Sequence, residues 1–229
     1  MGNRSYDTVC FDLDGTLIDT KPLHLQAERE TLRAFGVEHL DTAHLRTVGI
    51  GIEQGFEVLA RLYGLGDLRE VLRSYMPLWN RLLEVELELM PGARRVLEKF
   101  RDAAIQTALV TSGDTKYAEM VTARFQLAPL LGCVITSDRV LSMKPSPEPY
   151  LAAADCLQTP ADRVVAFEDS GSGVASVIAA GMYCVAVHGD VHARVELSAV
   201  HMRIMSLDSF LAPDMADLFG TDNWQDYSQ

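Results

Sequence analysis

Five short apolar runs punctuate the chain, and each is followed by a helical pattern. They are Thr8–Phe11, Ile105–Thr111, Gly132–Thr136, Arg163–Phe167 and Gly181–Val187. Strands that alternate with helices cannot pair as hairpins. They pair in parallel, with the crossover helices packed on both faces. The fold class expected is therefore α/β, a doubly wound parallel sheet. Chemistry in such sheets gathers at the carboxyl ends of the strands. The first run ends in Asp12, with Asp14 and Gly15 just beyond it.

The alternation has one long interruption. Between Leu17 and Met90 there is no strand pattern. Thr20 and Pro22 open a helix that carries Leu25, Leu32 and Phe35 on one face, and Gly36 ends it. A second helix carries Phe56, Leu59 and Tyr63 before Gly64 and Gly66. A third starts at Asp67, with Leu68, Leu72, Tyr75, Trp79 and Leu82 at helical spacing. Pro77 falls inside it, so a kink or two abutting helices is expected. Tyr75 and Trp79 fit a helical core stripe better than a ligand site. The domains expected are an α/β core, 1–18 with 89–229, and a smaller all-helical domain, 19–88, inserted after the first strand. A last helix, a weak strand over His201–Met205 and an acidic tail complete the chain.

Composition limits the partners. The 229 residues carry a formal net charge of −12. That argues against nucleic acid and anionic membrane surfaces, but not against a small anion that meets a few cations or a metal. No apolar run approaches membrane-spanning length, and no signal-peptide pattern precedes the first strand. The four cysteines are scattered, with no Cys-x-x-Cys pair. Cys10 and Cys184 fall in buried strands, where packing is their expected role. A cytoplasmic setting and a monomer or weak dimer are expected.

Four polar features fall at strand ends or in a loop after one: Asp12 with Asp14, Thr111 with Ser112, Lys144, and Glu168 with Asp169. Each alone has a plain alternative. Asp-Leu-Asp-Gly is a common turn, Thr111-Ser112 a helix cap, Lys144 a surface lysine and Glu168-Asp169 a polar turn. Together, and in this order, they suit phosphoryl transfer. A carboxylate that attacks phosphorus must first overcome repulsion from anionic oxygens. Asp12, the Asp14 backbone carbonyl, Asp169 and Glu168 through water form an all-oxygen set suited to Mg²⁺. Lys144 adds a cation, and Thr111 and Ser112 can hold phosphate oxygens. Asp12 serves as nucleophile and metal ligand, and Asp14 as general acid and base.

Asp12-Leu13-Asp14-Gly15-Thr16, Val110-Thr111-Ser112, Lys144-Pro145 and Phe167-Glu168-Asp169-Ser170-Gly171-Ser172-Gly173 resemble the four motifs of the haloacid dehalogenase superfamily. The resemblance covers nearly the whole chain. It implies a Rossmann-like core. The helical insertion resembles the C1 cap of the group that contains β-phosphoglucomutase, phosphoglycolate phosphatase and sugar-phosphate phosphatases. No large insertion separates Thr111 from Lys144, so a C2 cap is not expected. Asp14 disfavours the dehalogenase branch, which lacks this second aspartate. The implied mechanism has two steps. Asp12 takes the phosphoryl group while Asp14 protonates the leaving oxygen, and Asp14 then activates water against the aspartyl-phosphate. The cap is expected to close over the crevice, hinged at Asp19-Thr20 and just before Gly92. His24 matches a histidine of the β-phosphoglucomutase group near that hinge, and is otherwise a helix-surface residue. Val48-Gly49-Ile50-Gly51-Ile52 resembles the cap loop that points into the site.

The reading is a magnesium-dependent phosphatase of a small phosphorylated metabolite, a sugar phosphate by preference. A phosphomutase on the same scaffold is the alternative. It needs a second phosphate site, which the group supplies with a cap-loop arginine. Here the loop continues to Glu53, with no arginine, though Arg46 or Arg73 could substitute. A catalytically silent binding protein is the third reading, disfavoured because no catalytic position is missing.

Overall fold

The computed structural model describes residues 6–38, 51–187, 200–210 and 212–220. The cap-loop residues 48–50, Arg46, the helix expected before His201 and the tail at 222–227 lie outside these. The chain divides into two compact units, Met1–Ile18 with Leu89–Gln229, and Asp19–Glu88.

Unit one is built on a sheet that starts with β1 (Thr8–Phe11). After the inserted unit the chain forms α4 (Ala93–Asp102), β2 (Gln106–Val110), α5 (Thr115–Arg124), β3 (Cys133–Ile135) and α6 (Glu148–Cys156). It continues through β4 (Val164–Glu168), α7 (Gly171–Ala179), β5 (Tyr183–Val187), β6 (Met202–Ile204) and α8 (Ala212–Phe219). The six described strands are all parallel, in the order β3-β2-β1-β4-β5-β6. This is the doubly wound order that reverses direction beside its first strand, and the reversal opens a crevice between the tips of β1 and β4.

The period-two alternation of a strand sends β1 side chains to two different cores. Phe11 stacks on Phe167 at 4.8 Å between centroids, and Phe100 of α4 packs against Phe11 at 6.0 Å. Cys10 points the other way, into a cluster with Ala108, Ala166 and Cys184 that α6 and α7 cover with Tyr150, Ala153, Val174 and Val177. All of β1 is buried, as expected for a strand covered on both faces. In α4 the buried residues Ala93, Val96, Leu97 and Phe100 follow the three-and-four spacing of one helical face.

Unit two holds α1 (Lys21–Ala34), α2 (Ile52–Tyr63) and α3 (Leu68–Glu86). Asp67 caps α3 by accepting from the Arg69 N–H, and Gly64 closes α2 in the left-handed conformation. Tyr75 and Trp79 are buried and stacked, so they are core residues as the stripe predicted. His24 is half-buried on α1, with Nδ1 2.6 Å from Tyr75 Oη and its ring edge-on to Trp79.

Three expectations need correction. Pro77 does not split α3, which runs as one helix through it. Glu86 closes a helix that three buried turns of Val71, Tyr75, Trp79 and Leu82 hold together, so packing outweighs the lost backbone bond. Thr20 occupies the α1 N-cap position but makes no side-chain cap bond. The segment before the tail also contains α8, whose Met215, Leu218 and Phe219 are buried.

Candidate active site

The four polar features converge at the carboxyl edge of the sheet. The ladder reaches past the strand ends to place them: the Asp12 N–H donates to Phe167 O at 3.0 Å, and the Thr111 N–H to Ile135 O at 2.9 Å. Asp12 leaves β1, Thr111 leaves β2, and Glu168 and Asp169 leave β4, so two of the tips flank the reversal of strand order. Lys144 comes from the loop after β3. That loop contains a cis Lys144–Pro145 bond. It is braced by Glu148, whose carboxylate accepts from the N–H groups of Leu141 and Ser142 at 2.7 and 2.8 Å.

Lys144 is the hub. Its ammonium donates to Asp12 Oδ1 at 2.7 Å, to Glu168 Oε1 at 2.6 Å and to Val110 O at 2.9 Å. It is not the surface lysine that its sequence neighbourhood also allowed: its side chain is 3% exposed. Burial would lower its pKa, but Asp12 and Glu168 outweigh burial and raise it, so it stays charged. Tyr150 lies beneath, fully buried, with its hydroxyl donating to Glu168 Oε1 at 2.7 Å and its ring 5.1 Å from the ammonium. Glu168 Oε2 accepts from the Asp169 and Ser170 N–H groups and from Ser170 Oγ, which in turn caps α7 by accepting from the Gly173 N–H.

Asp12 stands differently. Its Oδ2 is buried and meets no hydrogen-bond donor among the described residues. Burial pushes its carboxyl well above the usual carboxylate range. Lys144 opposes this, and Glu168, Asp169 and Asp14 add to it. Asp12, Glu168 and Asp169 can bring one oxygen each within 4.8 Å of one another. An orphaned carboxylate oxygen beside two further carboxyl groups fits a hard divalent cation. Glu168, already engaged by donors on both oxygens, suits a supporting place better than direct contact. The Asp14 side chain is outside this cluster; its Oδ1 accepts from Tyr117 Oη at 2.6 Å.

Thr111 is buried, with Oγ1 accepting from the Gly113 N–H at 3.0 Å. It is not the α5 cap, because Asp114 takes that place by accepting from the Tyr117 N–H at 2.8 Å. Ser112 is exposed beside it.

Residues 6–181 match haloacid dehalogenase-like hydrolases. The chain belongs to this family. It is a phosphatase of the family, a phosphoric monoester hydrolase. A phosphorylated carbohydrates phosphatase of Thermotoga maritima is 31% identical over 187 residues, 81% of this chain and 86% of that one. Hexitol phosphatase A of Escherichia coli is 32% identical over 195 residues, 78% of this chain and 81% of that one. The crystal structure of CbbY from Rhodobacter sphaeroides in complex with phosphate superposes with a TM-score of 0.73 at 25% identity, over 90% of this chain and 96% of that one.

Sequence reasoning missed three contributors. Tyr117 fits the apolar stripe of α5, yet its hydroxyl reaches Asp14. Tyr150 follows the proline-rich loop as an ordinary aromatic. Cys133 and Cys156 form a disulfide, with Cα atoms 6.4 Å apart; a separation of 23 residues carries no pairing signal. Cys10 and Cys184 are buried packing residues as expected, their thiols pushed up to about 12 chiefly by burial.

Proposed function

We propose that the protein hydrolyses a small sugar phosphate with the help of Mg²⁺, through a phosphoryl group carried on Asp12. The observation that carries this reading is the Asp12 carboxyl group, gripped by Lys144 through one oxygen and meeting no donor among the described residues at the other. A resting structural carboxylate would have both oxygens satisfied. The relatives named for phosphorylated carbohydrates and hexitols support the substrate class.

Asp12 would attack phosphorus while the leaving oxygen takes a proton from Asp14. Asp14 would then take a proton from water as it attacks the aspartyl-phosphate, freeing phosphate and restoring Asp12. Lys144 neutralises charge between Asp12 and Glu168 and faces the transferring group. Thr111 and Ser112 would hold its oxygens. Asp12, the Asp14 carbonyl and Asp169 would hold the cation, with Glu168 behind them. When bound, the cation supplies charge neutralisation for the phosphoryl oxygens. The Asp14 and Ser112 roles, like the others, rest on their places at strand tips.

Hydrolysis is favoured over phosphomutase chemistry because the loop that resembles the group's substrate-facing loop continues to Glu53 and carries no arginine to hold a second phosphate. The test is phosphate release from a panel of hexose, hexitol and pentose phosphates, with Mg²⁺ and with chelator. Release from at least one, lost on chelation, is expected. Glucose 6-phosphate formed from β-glucose 1-phosphate and a trace of the bisphosphate, without free phosphate, would overturn hydrolysis. No described helix is long and apolar enough to cross a membrane. We take the working compartment to be the cytoplasm, which cell fractionation would test.

A further inference from the structure

We propose that Tyr117 is a positioning residue for Asp14, fixing the carboxyl group that exchanges the reaction's proton. The proposal rests on the phosphatase reading above and adds a residue to it.

The two residues are far apart in sequence but share one edge of the sheet. Asp14 stands just past the tip of β1. Tyr117 stands in the first turn of α5, which follows the neighbouring strand β2. The Tyr117 hydroxyl donates to Asp14 Oδ1 at 2.6 Å, a short bond of the kind made to charged acceptors. The tyrosine itself is held at two points. Its backbone N–H donates to the Asp114 cap. The Cδ1 edge of its ring closes on Gly113, where a Cβ would come within 2.3 Å of Cδ1. A side chain so fixed gives Asp14 a defined orientation, whereas a carboxyl group on a turn would otherwise sample several rotamers.

In the first half-reaction an Asp12 oxygen bonds to phosphorus as the bond from phosphorus to the leaving oxygen breaks. The leaving oxygen keeps that electron pair and takes the Asp14 proton. In the second half-reaction water bonds to phosphorus and gives its proton to Asp14, and the bond from phosphorus to Asp12 breaks. The Tyr117 proton stays on Tyr117 throughout. Its part is to aim Asp14 in both halves.

A poor leaving group needs the Asp14 proton and a good one does not, which separates aim from general structural support. The experiment compares Y117F with the parent on phenyl phosphate and 4-nitrophenyl phosphate, reading kcat/KM, which covers the first half-reaction. Phenol resembles the tyrosine side chain, with a pKa of about 10, and 4-nitrophenol is far more acidic. Y117F should lose about tenfold on phenyl phosphate and under about twofold on 4-nitrophenyl phosphate, part of the range of general acid catalysis, with the melting temperature unchanged. In the D14N background the same substitution should cost nothing further. Equal losses on both esters, no loss on either, or full additivity with D14N would overturn the proposal while leaving the phosphatase reading standing. A parent enzyme that releases phosphate from no monoester would overturn both. If Y117F does not fold, Y117H, which keeps a ring and a donor, takes its place and should lose less on phenyl phosphate than Y117L; equal losses by the two would overturn the proposal.

Discussion

Glu168 packs its carboxyl group against the α-carbon of Gly173. A methyl group there would lie 1.9 Å from the carboxyl carbon. Alanine normally stabilises a helix relative to glycine, but this one faces a fully buried carboxylate that Lys144, Tyr150 and Ser170 hold in place. Gly173→Ala should therefore cost about 3 kcal/mol, at the upper end of overpacking, and depress turnover by shifting Glu168. Gly66→Ala, in open space, should stay within about 0.5 kcal/mol. Urea unfolding of the two variants checks this.

Asp12→Asn should abolish turnover while the fold survives. The change is nearly isosteric, but the amide is no nucleophile and carries no charge for a cation. A loss of at least about a thousandfold in kcat is expected. Turnover within tenfold of the parent, in protein shown by mass spectrometry not to be deamidated, would contradict the assignment.

Asp169→Ala should weaken Mg²⁺ binding and raise the melting temperature of the metal-free protein. The carboxyl groups of Asp12, Glu168 and Asp169 repel one another in a buried place, and removing one relieves that repulsion. Thermal scans with and without Mg²⁺ should show the parent gaining more from the cation than the variant. Equal gains would argue that the cation sits elsewhere.

Cys156→Ser should lower unfolding free energy by about 3 kcal/mol, the loop-closure contribution for a span of this length. A reducing agent should bring the parent down to the level of the variant and leave the variant unchanged.

Burial lowers the pKa of His24. The unfolded chain therefore takes a proton first as pH falls. The stability difference is fully present above the unfolded value of about 6.5 and is lost as pH drops through the folded value. A neutral ring also makes the 3.7 Å approach to Glu28 no ion pair. His24→Gln should flatten this acid-side loss, read as the difference in urea midpoint between about pH 7.5 and about pH 5.5.

The sheet was legible because its strands are buried on both sides and so read as continuous apolar runs broken by glycine and proline. The strand tips were legible for a related reason: a carboxylate directly after four buried residues has few structural uses. Tyr117 and Tyr150 were not, since a tyrosine on a helical stripe looks the same whether its hydroxyl meets water or a carboxylate such as Asp14 or Glu168. At Pro77 the abutting-helices alternative failed because the buried face of α3, Val71, Tyr75, Trp79 and Leu82, holds it as one helix. Cys133 and Cys156 depend on where α6 ends relative to β3, which local pattern does not encode.

The chain leaves and re-enters the sheet unit through one paired crossing. Ile18 bridges Leu89 antiparallel, the Asp19 N–H donates to Glu88 O, and the Met90 N–H to Leu17 O. An insertion whose two ends lie side by side spans no distance in its host, so its length adds little to the host's loop-closure entropy. The core thus sees the helical unit much as it would see a tight turn. The unit can be lengthened, shortened or exchanged for another without a strand changing register. Such a joint lets the inserted helices vary in length and sequence while the strand tips that carry Asp12, Thr111 and Glu168 stay as they are.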